Sequence, residues 1–169
     1  MFPLRISLAL LAGLLGCLAV NARETAKTPL DFELTDGREF VILSKLPPRL
    51  TAVNFWRADC PPCVRELPLL ATSARMGTLR VVAVALQRPA ETLAVPASVS
   101  QALSPPLLSL HGPNEPRGLL ARFGNPHGVL PHTVLLDRLR RPCAAHSGEI
   151  DAAWLEAAIS QCTDETGQK

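Results

Sequence analysis

Apolar and polar positions along this chain fall into short blocks whose period alternates between the strand repeat and the helix repeat. Phe32 and Leu34 alternate with charged neighbours, Asp36-Gly37 marks a turn, and Phe40-Val41-Ile42 resumes the apolar run. That pattern predicts a β-hairpin at the N-terminal edge of the body. Pro47-Pro48 breaks the chain, and Leu50–Trp56 follows as a β-rich run closed by Asp59-Cys60-Pro61-Pro62, which predicts a buried strand. From Pro61 to about Met76, Val64, Leu67, Leu70 and Ala71 keep helical spacing, with Pro68 placed to kink the helix and Gly77 to close it. Leu79–Leu86 is continuously apolar, as a strand covered on both faces of a parallel sheet must be.

A proline-rich stretch, Pro89–Pro116, comes next, with a helix expected near Ala97–Leu103 and a short strand at Leu107–Leu110. Arg117–Phe123 reads as one or two helical turns ending at Gly124. Thr133–Asp137 and Cys143–His146 read as short strands, and Asp151 caps a helix running to about Cys162. The order predicts an α/β fold, a central mixed β-sheet flanked by helices with the hairpin as an N-terminal extension. The 169 residues suit one such domain. With 17 Lys and Arg against 15 Asp and Glu, the net charge of +2 offers no basic field for nucleic acid.

The N-terminus sets the compartment. Met1–Arg5 is short and positive, and Ile6–Val20 is apolar except for Ser7, too short for the roughly 20 residues a spanning helix needs. Residues 1–22 therefore separate from a body at 23–169. Three fates stay open for this leader: cleavage after Ala22, lipidation of Cys17 in the lipobox-like Leu14-Leu15-Gly16-Cys17, or retention as a short anchor. Each exports the body to the periplasm, free or attached to the membrane by its N-terminus.

Of five cysteines, four lie in the body: Cys60, Cys63, Cys143 and Cys162. Cys60-Pro61-Pro62-Cys63 sits where a buried strand hands over to a helix. Pro61 suits the first helical position, where its missing N–H has no partner to lose. Cys60 then lies at the helix N-terminus, whose free N–H groups and dipole favour a negative sulfur, so it is the attacking thiolate. Cys63 is close enough on the same face to resolve a mixed disulfide. Two other readings of the pair are a static disulfide and half of a zinc site completed by Cys143 and His146. Cys143 opens the last strand and Cys162 ends the returning helix. About five strand residues at ~3.3 Å match about eleven helical residues at ~1.5 Å, which predicts a structural disulfide between them.

The stretch Val53-Asn54-Phe55-Trp56-Arg57-Ala58-Asp59-Cys60-Pro61-Pro62-Cys63-Val64-Arg65-Glu66-Leu67-Pro68 resembles the active-site segment of TlpA/ResA-like thiol–disulfide oxidoreductases, exported members of the thioredoxin superfamily. The resemblance extends from Asp31-Phe32-Glu33-Leu34 through Val129-Leu130-Pro131-His132-Thr133 to the final helix. It implies a thioredoxin-like fold, dithiol exchange with Cys60 nucleophilic and Cys63 resolving, a cis Leu130–Pro131 bond facing the dithiol, and Glu66 as the acid that moves protons during exchange. The bland alternative for Glu66 is a solvated residue beside Arg65.

Several positions depart from that pattern. Asp59 stands where the family usually has Trp, and a carboxylate there disfavours the Cys60 thiolate unless Arg57 offsets it. Leu130 replaces the more usual Thr or Val. His132, if aimed at the dithiol, favours the thiolate; otherwise it is an exposed loop residue. Trp56, Leu130 and His132 are the candidate client contacts. The expected partners are protein thiols or disulfides and a membrane thiol reductase as electron donor, with no cofactor and no resident metal. The expected direction is reducing, as in cytochrome c or metal-site maturation. A copper or zinc chaperone using Cys60, Cys63 and His132, and a disulfide-introducing oxidant, are the alternatives.

Overall fold

A computed structural model describes residues 27–167, with side chains as far as residue 164; the leader, with the lipobox cysteine Cys17, lies outside the described residues. The hairpin is β1 (Glu33–Thr35) against β2 (Phe40–Ile42), antiparallel with Leu34 opposite Val41. The buried run is β3 (Thr51–Trp56), and it feeds α1 (Pro61–Arg75) directly. α1 continues through Pro68 and is closed by Gly77, whose φ of +73° places it in the region that favours glycine.

β4 (Arg80–Ala85), α2 (Pro89–Leu93), α3 (Ala97–Ala102), β5 (Leu108–His111), α4 (Arg117–Arg122), β6 (His132–Leu136), β7 (Pro142–Ser147) and α5 (Ala152–Gly167) complete the chain. The expected elements are present, and α2 is an addition: its start at Pro89 was hidden in a stretch whose prolines read as loop. Asp151 does cap α5, its Oδ1 accepting the Trp154 N–H at 2.8 Å.

Among the described residues, seven strands form one mixed sheet in the order β2-β1-β5-β4-β3-β6-β7. β3, β4 and β5 run parallel, and β6 and β7 are antiparallel additions beside β3. Alternation along β3 divides the core in two. Ala52 and Trp56 face a cluster built with Leu67, Leu70 and Cys63 of α1 and with Leu155 of α5. Val53 and Phe55 face the opposite cluster, with Phe32, Leu119 and Phe123. Burial on both sides is why β3 and β4 carry almost unbroken apolar sequence. Among the described residues, no helix is long and apolar enough to cross a membrane.

Candidate active site

The site begins where β3 ends. Cys60 is the N-cap of α1, in extended conformation, and its Sγ accepts the N–H of Cys63 at 3.3 Å. An N-cap needs a side-chain acceptor for one of the helix's orphan N–H groups, and here sulfur fills that role. Pro61 and Pro62 occupy the next positions and add no unmet N–H. Cys60 and Cys63 are joined in a disulfide with Cα atoms 5.3 Å apart. Their exposures differ: Cys60 is half-buried and Cys63 is 0% exposed. An incoming sulfur therefore meets Cys60 first.

One helical turn beyond Cys63, Glu66 points inward. It is 2% exposed, the opposite of a solvated surface residue. Its Oε1 accepts from Asn54 Nδ2 at 2.6 Å, and its Oε2 accepts the backbone N–H of Ile150 at 2.9 Å. Burial pushes the carboxyl up to about 7, against the pull of those two donors and with a small upward push from Glu149. A carboxyl in that range exchanges protons at neutral pH.

The Leu130–Pro131 peptide bond is cis, as is Pro105–Pro106. Pro131 is buried, and its carbonyl accepts the N–H of Gly148 at 2.8 Å. The loop leading to it is clamped by Asn125, whose amide both donates to the Val129 carbonyl at 2.7 Å and accepts the Val129 N–H at 3.0 Å. Asn125 was not singled out from sequence, since an asparagine among Gly, Pro and His reads as ordinary loop. Asn54 was missed for a different reason, although its signal existed: it is the lone amide in an otherwise apolar buried strand.

Two expectations are corrected by the geometry. His132 neither faces the dithiol nor lies exposed: at 2% exposure it pairs with Phe55 across the β3–β6 register, on the sheet face away from Cys63. Its Nε2 lies 2.9 Å from the carbonyl oxygen of Phe123 and its Nδ1 2.9 Å from Ser147 Oγ. A carbonyl only accepts, so Nε2 carries the proton; burial lowers the ring's affinity for a second one. The metal-chaperone set Cys60, Cys63 and His132 is thus split between two faces. Trp56 is likewise 0% exposed and packs in the core with Cys63, so a docking protein does not touch it.

Arg57 and Asp59 form a forked ion pair at 2.8 and 3.0 Å, and Arg57 Nη1 also donates to the Leu86 carbonyl at 3.3 Å. The pair holds Asp59 below the usual carboxylate range. A cleft of about 710 Å³ opens beside it, lined by Arg57, Leu86, Asn114, Glu115, Arg117 and Leu130 among others. In the same core cluster as the buried face of α1, Cys143 and Cys162 are joined, 4% and 1% exposed, with Cα atoms 5.3 Å apart. That bond takes Cys143 out of any zinc set with His146, which packs instead on Trp154. Among the described residues, no group of three or more His, Cys, Asp or Glu side chains is placed to hold a metal ion.

A β-α-β unit whose helix opens with the C-x-x-C pair, followed by an antiparallel strand pair that begins at a cis-proline, decides the architecture. The chain has the thioredoxin fold. Solved thioredoxin-fold structures similar to it include a DsbF homologue from Corynebacterium diphtheriae, at 22% identity and a TM-score of 0.65, covering 81% of this chain and 88% of that one. The exposed lipoprotein thioredoxin of Streptococcus pneumoniae matches at 20% identity and 0.58, covering 78% and 98%. A secreted Mycobacterium tuberculosis disulfide oxidoreductase homologous to E. coli DsbE matches at 16% and 0.59, covering 76% and 94%. No family model and no curated protein matches the sequence.

Proposed function

We propose that this chain is an exported thiol–disulfide oxidoreductase that exchanges its Cys60–Cys63 pair with protein clients in the reducing direction. The observation that carries this is the asymmetry of the pair: a half-buried sulfur capping a helix and a fully buried partner one turn from a carboxyl that titrates near 7.

The cycle follows from that asymmetry. In the reduced protein the Cys60 thiolate, favoured by the helix N-terminus, attacks one sulfur of a client disulfide. A Cys60–client bond forms, the client's S–S bond breaks, and its other sulfur leaves as thiolate. Glu66 carboxylate then takes the proton of Cys63, and the new thiolate attacks Cys60 Sγ. The client departs fully reduced, and the protein is left as the Cys60–Cys63 disulfide seen here. A membrane thiol reductase returns two electrons to that disulfide. Client residues flanking the cysteine lie against Leu130 and the cleft beside Arg57. Export rests on the apolar leader at 1–22, with Cys17 as the lipid-bearing residue if the lipobox is used.

Trapping with Cys63→Ser tests this. The variant is expected to retain clients covalently on Cys60, and insulin reduction is expected to vanish in Cys60→Ser. Recovery of no exported protein on Cys60 would overturn the reading. A measured potential near −270 mV marks a reductant, and one near −120 mV marks the oxidant alternative.

A further inference from the structure

Glu66 has an environment suited to only one of its two charge states. Both of its hydrogen-bond partners are donors, Asn54 Nδ2 at 2.6 Å and the Ile150 N–H at 2.9 Å. That serves a carboxylate, but a proton-shuttling acid spends half its cycle as COOH, which needs an acceptor. The Ile150 N–H is backbone and cannot change role. Asn54 can.

Asn54 is 0% exposed, and its second N–H goes to Thr133 Oγ1 at 3.0 Å, while its own Oδ1 is buried with no hydrogen-bond partner. An orphaned buried carbonyl on the side chain hydrogen-bonded to Glu66 asks for an explanation. A half-turn of the amide gives one. Oδ1 then takes the place of Nδ2, with one lone pair for the Glu66 O–H and the other for the Thr133 hydroxyl, which switches from acceptor to donor. Each orientation leaves one amide group unpartnered, so neither is frozen by hydrogen bonding.

We propose that Asn54 is a positioning residue whose amide turns as Glu66 gains or loses its proton, donating to the carboxylate and accepting from the acid. The proposal rests on the role given to Glu66 in dithiol exchange. The proton involved passes from the Cys63 S–H to Glu66, leaving a Cys63 thiolate and a neutral carboxyl; the amide carries no charge at either stage. The bond to the charged carboxylate is the stronger of the two, so the turning amide serves both states and still favours the carboxylate, the direction in which the Asn54 contact pulls Glu66 here. The other charged or titratable groups around this carboxyl are Cys60 and Cys63 of α1, Glu149, which is paired with Arg65, Asp151 beside Ile150, and His146 of β7, opposite Thr133 in the register and packed on Trp154. β3 and β6 supply only Asn54 and Thr133, which do not titrate.

The test reads protonation directly, by side-chain NMR of the reduced full chain with Glu and Asn labels. In the wild type, the Glu66 carboxyl carbon and the Asn54 amide nitrogen are expected to titrate with one shared midpoint. In Asn54→Leu, similar in shape but without donor or acceptor, the Glu66 midpoint is expected to rise by about one pH unit, tenfold in proton affinity. The alkaline limb of client exchange is expected to shift with it. An Asn54 signal that stays flat while Glu66 titrates overturns the proposal in the wild type itself, whether or not Asn54→Leu folds. An unchanged Glu66 midpoint in folded Asn54→Leu overturns it too. If Cys60 traps no client but the linked titration is present, the exchange reading fails and the Asn54 coupling stands.

Discussion

His132 Nε2 lies 2.9 Å from the carbonyl oxygen of Phe123, and this contact ties the strand that starts after Pro131 to the end of the helix on the sheet face opposite the dithiol. Replacing His132 with Leu removes the partner of a buried carbonyl, a loss of about 1–3 kcal/mol. The expected result is a lower urea midpoint with little change in Cys60 alkylation, because the ring never faces Cys60. The pH dependence has a definite sign. Burial lowers the folded ring's proton affinity below its ordinary value of 6.5, so the unfolded chain binds the extra proton first. The wild type should lose stability as pH falls from about 6.5 toward the lower folded value, and His132→Leu should lack that loss in the same denaturation series.

Glu66 produces the opposite slope. Its folded value of about 7 lies above the ordinary 4.5, so its contribution is complete below about 4.5 and disappears as pH rises through 7. Glu66→Gln is expected to remove this loss, roughly 3 kcal/mol at alkaline pH, measured by denaturation above and below neutrality. The same variant should slow release of client from Cys60 by ~100-fold or more at neutral pH, read from the lifetime of the mixed disulfide in stopped-flow quench experiments.

Arg57 and Asp59 cancel each other beside Cys60. Arg57→Ala leaves a bare carboxylate near the nucleophile, which disfavours its thiolate; Asp59→Ala leaves a bare guanidinium, which favours it. Iodoacetamide reaction of the reduced protein at neutral pH should be slower than wild type in the first variant and faster in the second, each by about two- to fourfold, with the difference shrinking at high salt. Equal rates in both variants would show that the pair acts on packing alone.

Breaking the second disulfide should separate scaffold from site. The double variant Cys143→Ser, Cys162→Ser frees a loop with a sequence separation of 19 residues and is expected to cost about 2–4 kcal/mol. Thermal melts should show the loss, while the rate of insulin reduction at moderate temperature stays within about twofold, since the bond ties β7 to α5 and not to the Cys60 end of α1.

The part of this molecule that local rules govern is legible in the sequence. Strand β3 running into Pro61, the N-cap at Cys60 and the cap at Asp151 depend on neighbours within a few positions, and so does the hairpin turn at Asp36-Gly37. His132 shows where that stops. It follows Pro131 in the chain, yet its direction is set by the β3–β6 register that places it opposite Phe55, a contact between residues 77 positions apart in sequence. A shift of one position would have turned it toward the dithiol. Trp56 is hidden for the same reason: its alternation with Phe55 tells that they face opposite ways, but not that helices cover both sides. Glu66 and Asn54 are each visible as a polar residue at an apolar position, while their pairing needs the packing of α1 on β3.

The two sulfur–sulfur bonds differ in access, with Cys60 half-buried and Cys143 and Cys162 nearly sealed. A reductant arriving from solvent therefore meets the Cys60–Cys63 bond first. The framework under the site keeps its own cross-link when the Cys60–Cys63 bond opens, so the architecture is tied in the same way whichever state that outer pair is in.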